Sequence, residues 1–377
     1  MITMRKPNRI RRIAQALSSV GVDVALIFSP ENLCYLIGNL IDYSAALITC
    51  EGKIVTICSF LEYERAKRET WSDEVVPYSS REYSYLNFKT IRSANLLSAV
   101  CSVLIDYGFS KSVIGFEGSF VSSSLYGSLT RQLNEAIFKD VSKLFSDLRQ
   151  VKDDYEVDLI RRAVKRVEYA FERSIDILSV GVSEFEVAGE ALKAMVSSGG
   201  KGVFKLPIVA SGVRSALPHG RASSKIIGES ELVILDYVAP EEWYYGDLTR
   251  TLVTRPVSNK HEKIYSIVVE ALNNAIDSIK PGVKCSEVDR AARSVIVKYG
   301  YGDYFIHSTG HGIGLSVHES PRLSSSDSTI LKPGMIVTVE PGIYIPGFGG
   351  VRVERDVLVT DDGFEILDSY PVDLIVV

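Results

Sequence analysis

Two parts of this chain read as paired apolar strands, and each pair carries an acid in both of its arms. Glu231-Leu-Val-Ile-Leu-Asp236 reads as a strand whose return is Gly246-Asp-Leu-Thr-Arg-Thr-Leu-Val-Thr254. Further along, Gly334-Met-Ile-Val-Thr-Val-Glu340 pairs in the same way with Gly350-Val-Arg-Val-Glu-Arg-Asp-Val-Leu-Val-Thr360. A Pro-, Gly- and Tyr-rich connection separates the arms of each pair. Side chains alternate along a strand, so Leu232, Ile234 and Asp236 share a face, as do Ile336, Thr338 and Glu340. Carboxylates on apolar strand faces are destabilising unless positive charge meets them. No set of four lysines or arginines stands on those faces. Two divalent cations would balance Asp236, Asp247, Glu340 and Glu354.

A third stretch supplies a nitrogen. His307-Ser-Thr-Gly-His-Gly-Ile-Gly-Leu-Ser-Val-His-Glu319 holds three of the chain's five histidines within thirteen residues, around Gly310, Gly312 and Gly314. Neutral imidazole is the commonest side-chain metal ligand, and glycine lets a backbone turn tightly or approach a ligand closely. Each feature alone is ordinary. Histidines in a Gly-rich turn are often merely solvated, and two acids eleven residues apart, as Asp236 and Asp247 are, often mark hairpin ends. Joined to His311, the four acids give four oxygen donors and one nitrogen, a hard site suited to Mn²⁺ or Co²⁺, with Zn²⁺ as the alternative.

The set Asp236, Asp247, His311, Glu340 and Glu354 resembles the five ligands of the dinuclear metallopeptidases with the pita-bread fold. That family includes methionine aminopeptidase, aminopeptidase P and Xaa-Pro dipeptidase (prolidase), with creatinase as a metal-free relative. The segments that carry the resemblance are Leu-Asp-Tyr followed by Gly-Asp-Leu-Thr-Arg-Thr, then Gly-His-Gly-Ile-Gly-Leu with its His-Glu, Val-Glu-Pro-Gly-Ile-Tyr and Gly-Val-Arg-Val-Glu. It implies that Asp247 and Glu354 bridge two metals, that Asp236 completes one, and that His311 and Glu340 complete the other. Water held between two cations becomes a hydroxide nucleophile near neutral pH, with Glu340 as its general base. His219, in Ala216-Leu-Pro-His-Gly220, matches a histidine at the scissile region, and His318 one that stabilises the oxyanion. His307 is expected to line the substrate pocket or support a ligand. Arg352 is expected either to orient Glu354 or to touch substrate; a surface ion pair is the alternative. Arg322, four residues beyond His318, is the candidate grip for a dipeptide's free carboxylate. Three positions depart from the family pattern: Val238 stands where glycine is usual, Gly246 where serine is usual, and Arg355 where aspartate is usual.

The resemblance implies cleavage of the bond before proline, foremost in Xaa-Pro dipeptides. The alternatives are an aminopeptidase P acting on longer peptides and a non-catalytic peptide-binding scaffold. A small N-terminal domain of this type implies a homodimer. At 377 residues and 46% apolar content the chain has room for two domains with real cores. A net charge of −5 gives no reason to expect nucleic acid or an anionic membrane as partner. Five scattered cysteines without a C-x-x-C pair favour reduced thiols and a cytoplasmic setting. No apolar run reaches the ~18–20 residues of a membrane span. The basic start from Arg5 to Arg12 has no apolar region of the signal-peptide kind behind it, so no targeting peptide is expected.

The fold class expected is α/β (α+β): a small creatinase-like α/β domain over residues 1–125, a linker helix and connection over 126–152, and a pita-bread domain over 153–377. In the first, the patterning predicts helices over Arg9–Ser19, Leu61–Thr70 and Ala94–Tyr107, and strands over Val22–Phe28, Ala45–Cys50, Lys53–Cys58 and Ser112–Phe116. In the last, a capping box at Asp153-Asp-Tyr-Glu156 opens a helix striped by Val157, Ile160, Val164, Val167, Phe171 and Ile175. Further helices are expected over Glu184–Ser197, His261–Ile279 and Ser286–Tyr299. His261 is expected to be solvated.

Overall fold

The N-terminal alternation of helix and strand closes into one seven-stranded sheet in the computed structural model, which describes residues 7–81 and 90–377. Arg5 and Lys6 of the basic start lie outside the described residues. Helix α1 (Pro7–Ser19) buries Ile10, Ile13, Ala14 and Leu17, the stripe its spacing predicts. Strand β1 (Val24–Ile27) and helix α2 (Pro30–Ile37) follow, then the hairpin β2 (Ser44–Thr49) and β3 (Ile54–Ser59), helix α3 (Tyr63–Glu69), and strands β4 (Glu74–Ser79) and β5 (Ile91–Arg92). Helix α4 (Leu96–Asp106), β6 (Val113–Phe116), α5 (Ser123–Gln132), β7 (Ile137–Asp140) and α6 (Ser142–Gln150) complete the unit. The sheet runs β5-β4-β3-β2-β1-β6-β7, and its core sets Val24, Leu26, Leu47, Val55 and Ile57 against Val100, Val103 and Leu104 of α4. The compact unit ends at Arg149, not near residue 125. The stretch read as linker contains β7, which extends this sheet beside β6.

The second unit spans Gln150–Val377. Its first helix, α7 (Asp154–Ile177), starts at the expected capping box, in which Asp153 caps the Glu156 N–H and Glu156 returns to the Asp153 N–H. Helix α8 (Glu184–Ser197) starts with the same device at Ser183 and Glu186. Strands β8 (Ile208–Ser211), β9 (Leu232–Glu241) and β10 (Tyr244–Val253) precede helices α9 (Asn259–Asp277) and α10 (Cys285–Lys298). Then come β11 (Gly310–Gly312), β12 (Glu319–Leu323), β13 (Ile336–Val339), β14 (Gly342–Ile345), β15 (Gly349–Arg352), β16 (Arg355–Val359), β17 (Phe364–Ile366) and β18 (Ile375–Val376). They form sheets in the orders β18-β10-β9-β8 and β12-β11-β13-β16-β17, with β14-β15 as a separate ribbon. All pairs are antiparallel except β10 with β18. Helices α9 and α10 pack Val268, Leu272 and Val288 into one core with Val337, Val351 and Val357 of the strands.

The two acid-bearing strand pairs differ from expectation in opposite ways. The first has no loop after Asp236. Strand β9 runs on to Glu241 and turns at Glu242-Trp243, both at positive φ (45° and 74°), the two-residue geometry that matches strand twist. Pro240 suggests a break, but its neighbours hold the ladder. The second pair is interrupted. Strand β13 pairs with β16 and β14 with β15, so the register stops at Val339↔Arg355 and resumes at Gly342↔Arg352. Glu340 and Glu354 therefore sit in facing breaks of the ladder. Their N–H groups bond elsewhere, Glu340 to Thr309 O at 2.7 Å and Glu354 to Thr249 O at 3.1 Å.

Candidate metal centre

Register places the acids of β9 and β10 side by side. Asp236 opposes Thr249 and Val238 opposes Asp247, and residues opposed across an antiparallel pair share a face. Asp247 and Thr249, two apart on β10, point the same way. Behind them α7 lies so close that a Cβ at Gly246 would sit 2.5 Å from the Val164 backbone nitrogen. That contact leaves no room for a side chain at Gly246, the position where serine is usual. The threonines of Thr249-Arg-Thr251 fasten the interrupted strands to β10. Thr251 Oγ1 accepts from the Arg352 N–H at 3.0 Å and donates to Arg352 O at 2.8 Å, while Thr249 Oγ1 donates to Glu354 Oε2 at 2.7 Å. On the opposite face Arg250 bonds the Glu354 carbonyl and, at 2.8 Å, Asp368. Arg355, also directed away from Glu354, bonds the same Asp368 at 2.9 Å. The departure from aspartate at this position thus leaves the acid cluster untouched.

His311 enters from β11. Glycine is required on both sides of it, because a Cβ at Gly310 would lie 1.9 Å from Thr338 O and one at Gly312 2.4 Å from Ser320 O. Its Nδ1 faces Gly312 O at 3.1 Å; a carbonyl can only accept, so Nδ1 carries a proton and Nε2 faces Glu340 Oε1 at 3.2 Å. Thr338 Oγ1 receives the His311 N–H at 3.2 Å and reaches Glu340 at 3.4 Å. Asp247, His311 and Glu354 offer ligand atoms that all lie within 4.8 Å of one another. The structure thus brings all five expected ligands into one cluster, linked through His311–Glu340 and through Arg352, which bonds Asp236 and reaches 3.9 Å from Glu340.

Arg352 corrects one sequence expectation. It is no surface ion pair: only 3% exposed, it pairs with Asp236 rather than orienting Glu354, which Thr249 does instead. Its other donors go to Tyr344 Oη at 2.8 Å, Pro218 O at 3.1 Å and Thr249 Oγ1 at 3.2 Å. These bonds have a direction. Tyr344 accepts from Arg352 and therefore donates to His307 Nε2 at 2.9 Å; His307 Nδ1 donates to Ser308 O at 2.7 Å. Half-buried His307 is thus fixed as one tautomer, at the end of a chain that starts at Asp236.

One guanidinium does not neutralise four carboxylates, and the imbalance shows. Asp247 Oδ1 and Glu354 Oε1 are buried with no hydrogen-bond partner among the described residues. Burial and the surrounding acids push both carboxyls well above their ordinary range. Asp236 is also raised, by burial, with Arg352 opposing. Glu340 goes the other way: burial acts upward, but the His311 hydrogen bond and charge hold it at about 2. The same bond raises His311 against the effect of its burial. Two carboxylates with unpartnered oxygens, grouped with an imidazole so that one ligand atom of each lies within 4.8 Å of the others, fit divalent cations, which would satisfy the orphaned atoms and the charge together.

The remaining candidates lie around this cluster. His318 is exposed, with its ring edge-on to His311 at a centroid distance of 4.2 Å; partial burial and the His311 charge push it down to about 4. His219 is exposed on the loop whose Pro218 carbonyl Arg352 holds, within electrostatic reach of Asp236 and His318. Arg322 is exposed and is the register partner of His311, so it shares that face; its Nε lies 3.1 Å from Ser308 Oγ. His261 is buried, not solvated: it occupies the third position of a capping box with Ser258 and packs on Phe348. Sequence reasoning passed over Thr249, Tyr344 and Asp356, whose Oδ2 accepts the Asp247 N–H at 3.0 Å. It also passed over the buried Lys152–Glu319 pair at 2.8 Å, next to His318. Polar residues two positions beyond a ligand, Thr249 after Asp247 and Asp356 after Glu354, were the available signal.

A mostly antiparallel sheet set that carries a five-residue hard-donor cluster defines a class, and comparison with known proteins agrees. Residues 158–361 match metallopeptidase family M24 and residues 9–151 match the creatinase/prolidase N-terminal domain. The chain belongs to metallopeptidase family M24 and has the creatinase-like and pita-bread domains of that family's prolidase branch. It is 36% identical to the Xaa-Pro dipeptidase of Pyrococcus horikoshii over 369 residues, covering 98% of this chain and 99% of the relative. The solved Xaa-Pro dipeptidase of Bacillus anthracis superposes with a TM-score of 0.88 at 36% identity, over 98% of this chain and 99% of that one. The X-Pro aminopeptidase of Thermotoga maritima gives 0.87 at 32% identity, over the full length of both chains.

Proposed function

We propose that this metallopeptidase hydrolyses the peptide bond preceding proline in Xaa-Pro dipeptides, using two divalent cations per subunit. The observation that carries the reading is the acid cluster itself, with its unpartnered Asp247 and Glu354 oxygens beside His311. Asp247 and Glu354 would serve both cations, Asp236 one, and His311 with Glu340 the other; Mn²⁺ or Co²⁺ would suit these donors, with Zn²⁺ as the alternative. When bound, the cations supply Lewis acidity and lower the pKa of the attacking water. Glu340, ionised and held by His311, accepts a proton at its carboxylate. His318, neutral at physiological pH, donates from its ring N–H to the carbonyl oxygen as negative charge develops there. His219 orients the scissile region, and the Arg352–Tyr344–His307 chain keeps Asp236 and the pocket wall in place. The reading extends to a homodimer in the cytoplasm. No disulfide forms among the described residues, and no described helix is long and apolar enough to cross a membrane.

Arg322 separates this reading from its rival. A dipeptide's carboxylate lies one residue beyond the scissile bond, and the reading assigns its grip to Arg322, which is exposed and opposes His311 across the ladder. The Thermotoga maritima X-Pro aminopeptidase has a closely similar fold, so aminopeptidase action on longer peptides is the second reading. Hydrolysis of Ala-Pro measured beside Ala-Pro-Ala in Mn²⁺ decides. A clear preference for the dipeptide supports the proposal, and a preference for the tripeptide overturns it in favour of the aminopeptidase.

A further inference from the structure

Thr249 is fully buried, opposes Asp236 across the ladder, and lies two residues beyond Asp247 on the same face. Its hydroxyl touches two members of the site. Arg352 Nε–H points at Thr249 Oγ1 from 3.2 Å, and a guanidinium can only donate. The hydroxyl proton is thereby directed to Glu354 Oε2, 2.7 Å away. The Glu354 backbone N–H bonds the Thr249 carbonyl, so the same residue holds this acid at both main chain and side chain. Only Glu354 Oε1 is left open, and it is buried without a partner.

We infer that Thr249 is a positioning residue for the metal centre: its hydroxyl, polarised by Arg352, ties down Glu354 Oε2 and so fixes the orientation in which this carboxylate meets the cations. The inference rests on the metal reading above and adds a specific requirement to it. Without the hydroxyl, Glu354 is free to rotate about its terminal bond, and Arg352 Nε loses a buried acceptor. Groups that orient a ligand are typically worth about 10–100-fold in metal affinity.

The test is Mn²⁺ titration by calorimetry into the chelated full-length chain, with a thermal melt of each metal-free protein as a folding control. Thr249→Val keeps the shape and removes the hydroxyl, and its affinity is expected to fall by about 10–100-fold. Thr249→Ser keeps the hydroxyl and sheds the methyl, and is expected to bind as the wild type does. A folded Thr249→Val with wild-type affinity overturns the inference. So does a folded Thr249→Ser as weak as a glutamate-ligand variant, Glu354→Gln, and this arm decides the matter even if the valine variant does not fold. A wild-type chain that binds no Mn²⁺ is a different result: it removes the metal reading itself.

Discussion

Arg352 and His318 show how much of the site depends on where a charge can sit. A cation with 3% exposure beside Asp236 remains stable because Tyr344, Pro218 and Thr249 also accept from it. Its position beside Glu354 in the sequence suggests that acid as its partner, and only the break in the strands redirects it to Asp236. His318 is kept neutral next to His311, so its contribution is as a donor and not as a charge. His318→Ala is therefore expected to lower kcat by roughly 10²–10³-fold with both metals retained. Metal analysis of the purified variant checks this, and metal content falling with activity would make His318 a ligand instead. Arg322→Ala is expected to raise KM for Ala-Pro about tenfold or more while changing little for a longer peptide. Equal losses on both substrates would remove Arg322 from carboxylate recognition.

At the scale of elements, the ligand-bearing segments were legible because each joins an apolar strand pattern to an acid or histidine that such a strand cannot otherwise tolerate. Helix α7 was legible from its capping box and stripe. Helix α2 was not: eight residues with five apolar in a row show no clear period, and what defines it is Ser29 capping the Asn32 N–H and Gly38 closing it at φ 80°. Strand β7 was missed because Ile137 is largely exposed and the strand is a sheet edge. The interruption between β13–β16 and β14–β15 was legible on one arm only: Pro341-Gly342 marks the break after Glu340, while Arg352-Val-Glu-Arg355 carries no turn residue to mark the one at Glu354. Long-range packing decides there. The same packing yields a stability prediction at Gly246, where α7 leaves no room for a side chain. Gly246→Ser is expected to cost about 1–3 kcal/mol or more, since the obstacle is helix backbone. A denaturant melt reads this directly, and an unchanged midpoint would mean that α7 can move aside.

For the whole molecule, the acid cluster ties stability to pH and to metal. Asp247 and Glu354 are raised well above their ordinary values, so without metal the folded chain binds protons that the unfolded chain has released. His311, also raised, acts in the same sense. Stabilisation from such groups is complete below their unfolded pKa values and is lost as pH rises through the folded ones. Glu340, held near 2, stays ionised above pH 5 and adds no slope there. His318, lowered to about 4, contributes the opposite slope below its unfolded pKa of ~6.5. The Tm of the chelated protein is therefore expected to fall from pH 7 to pH 9, the range in which Asp356, raised to about 8, also releases its proton, and Mn²⁺ to flatten the profile by replacing the protons. A chelated protein whose Tm rises over that range would contradict this charge distribution. The central claim, that these five residues hold two catalytic divalent cations, is tested most directly by stepwise reconstitution. Metal-free protein is titrated with Mn²⁺ while bound metal per chain and Ala-Pro hydrolysis are followed on the same sample. The account predicts no hydrolysis at zero metal and activity that rises to a plateau at two ions per chain. Full activity in protein shown to be metal-free would contradict it.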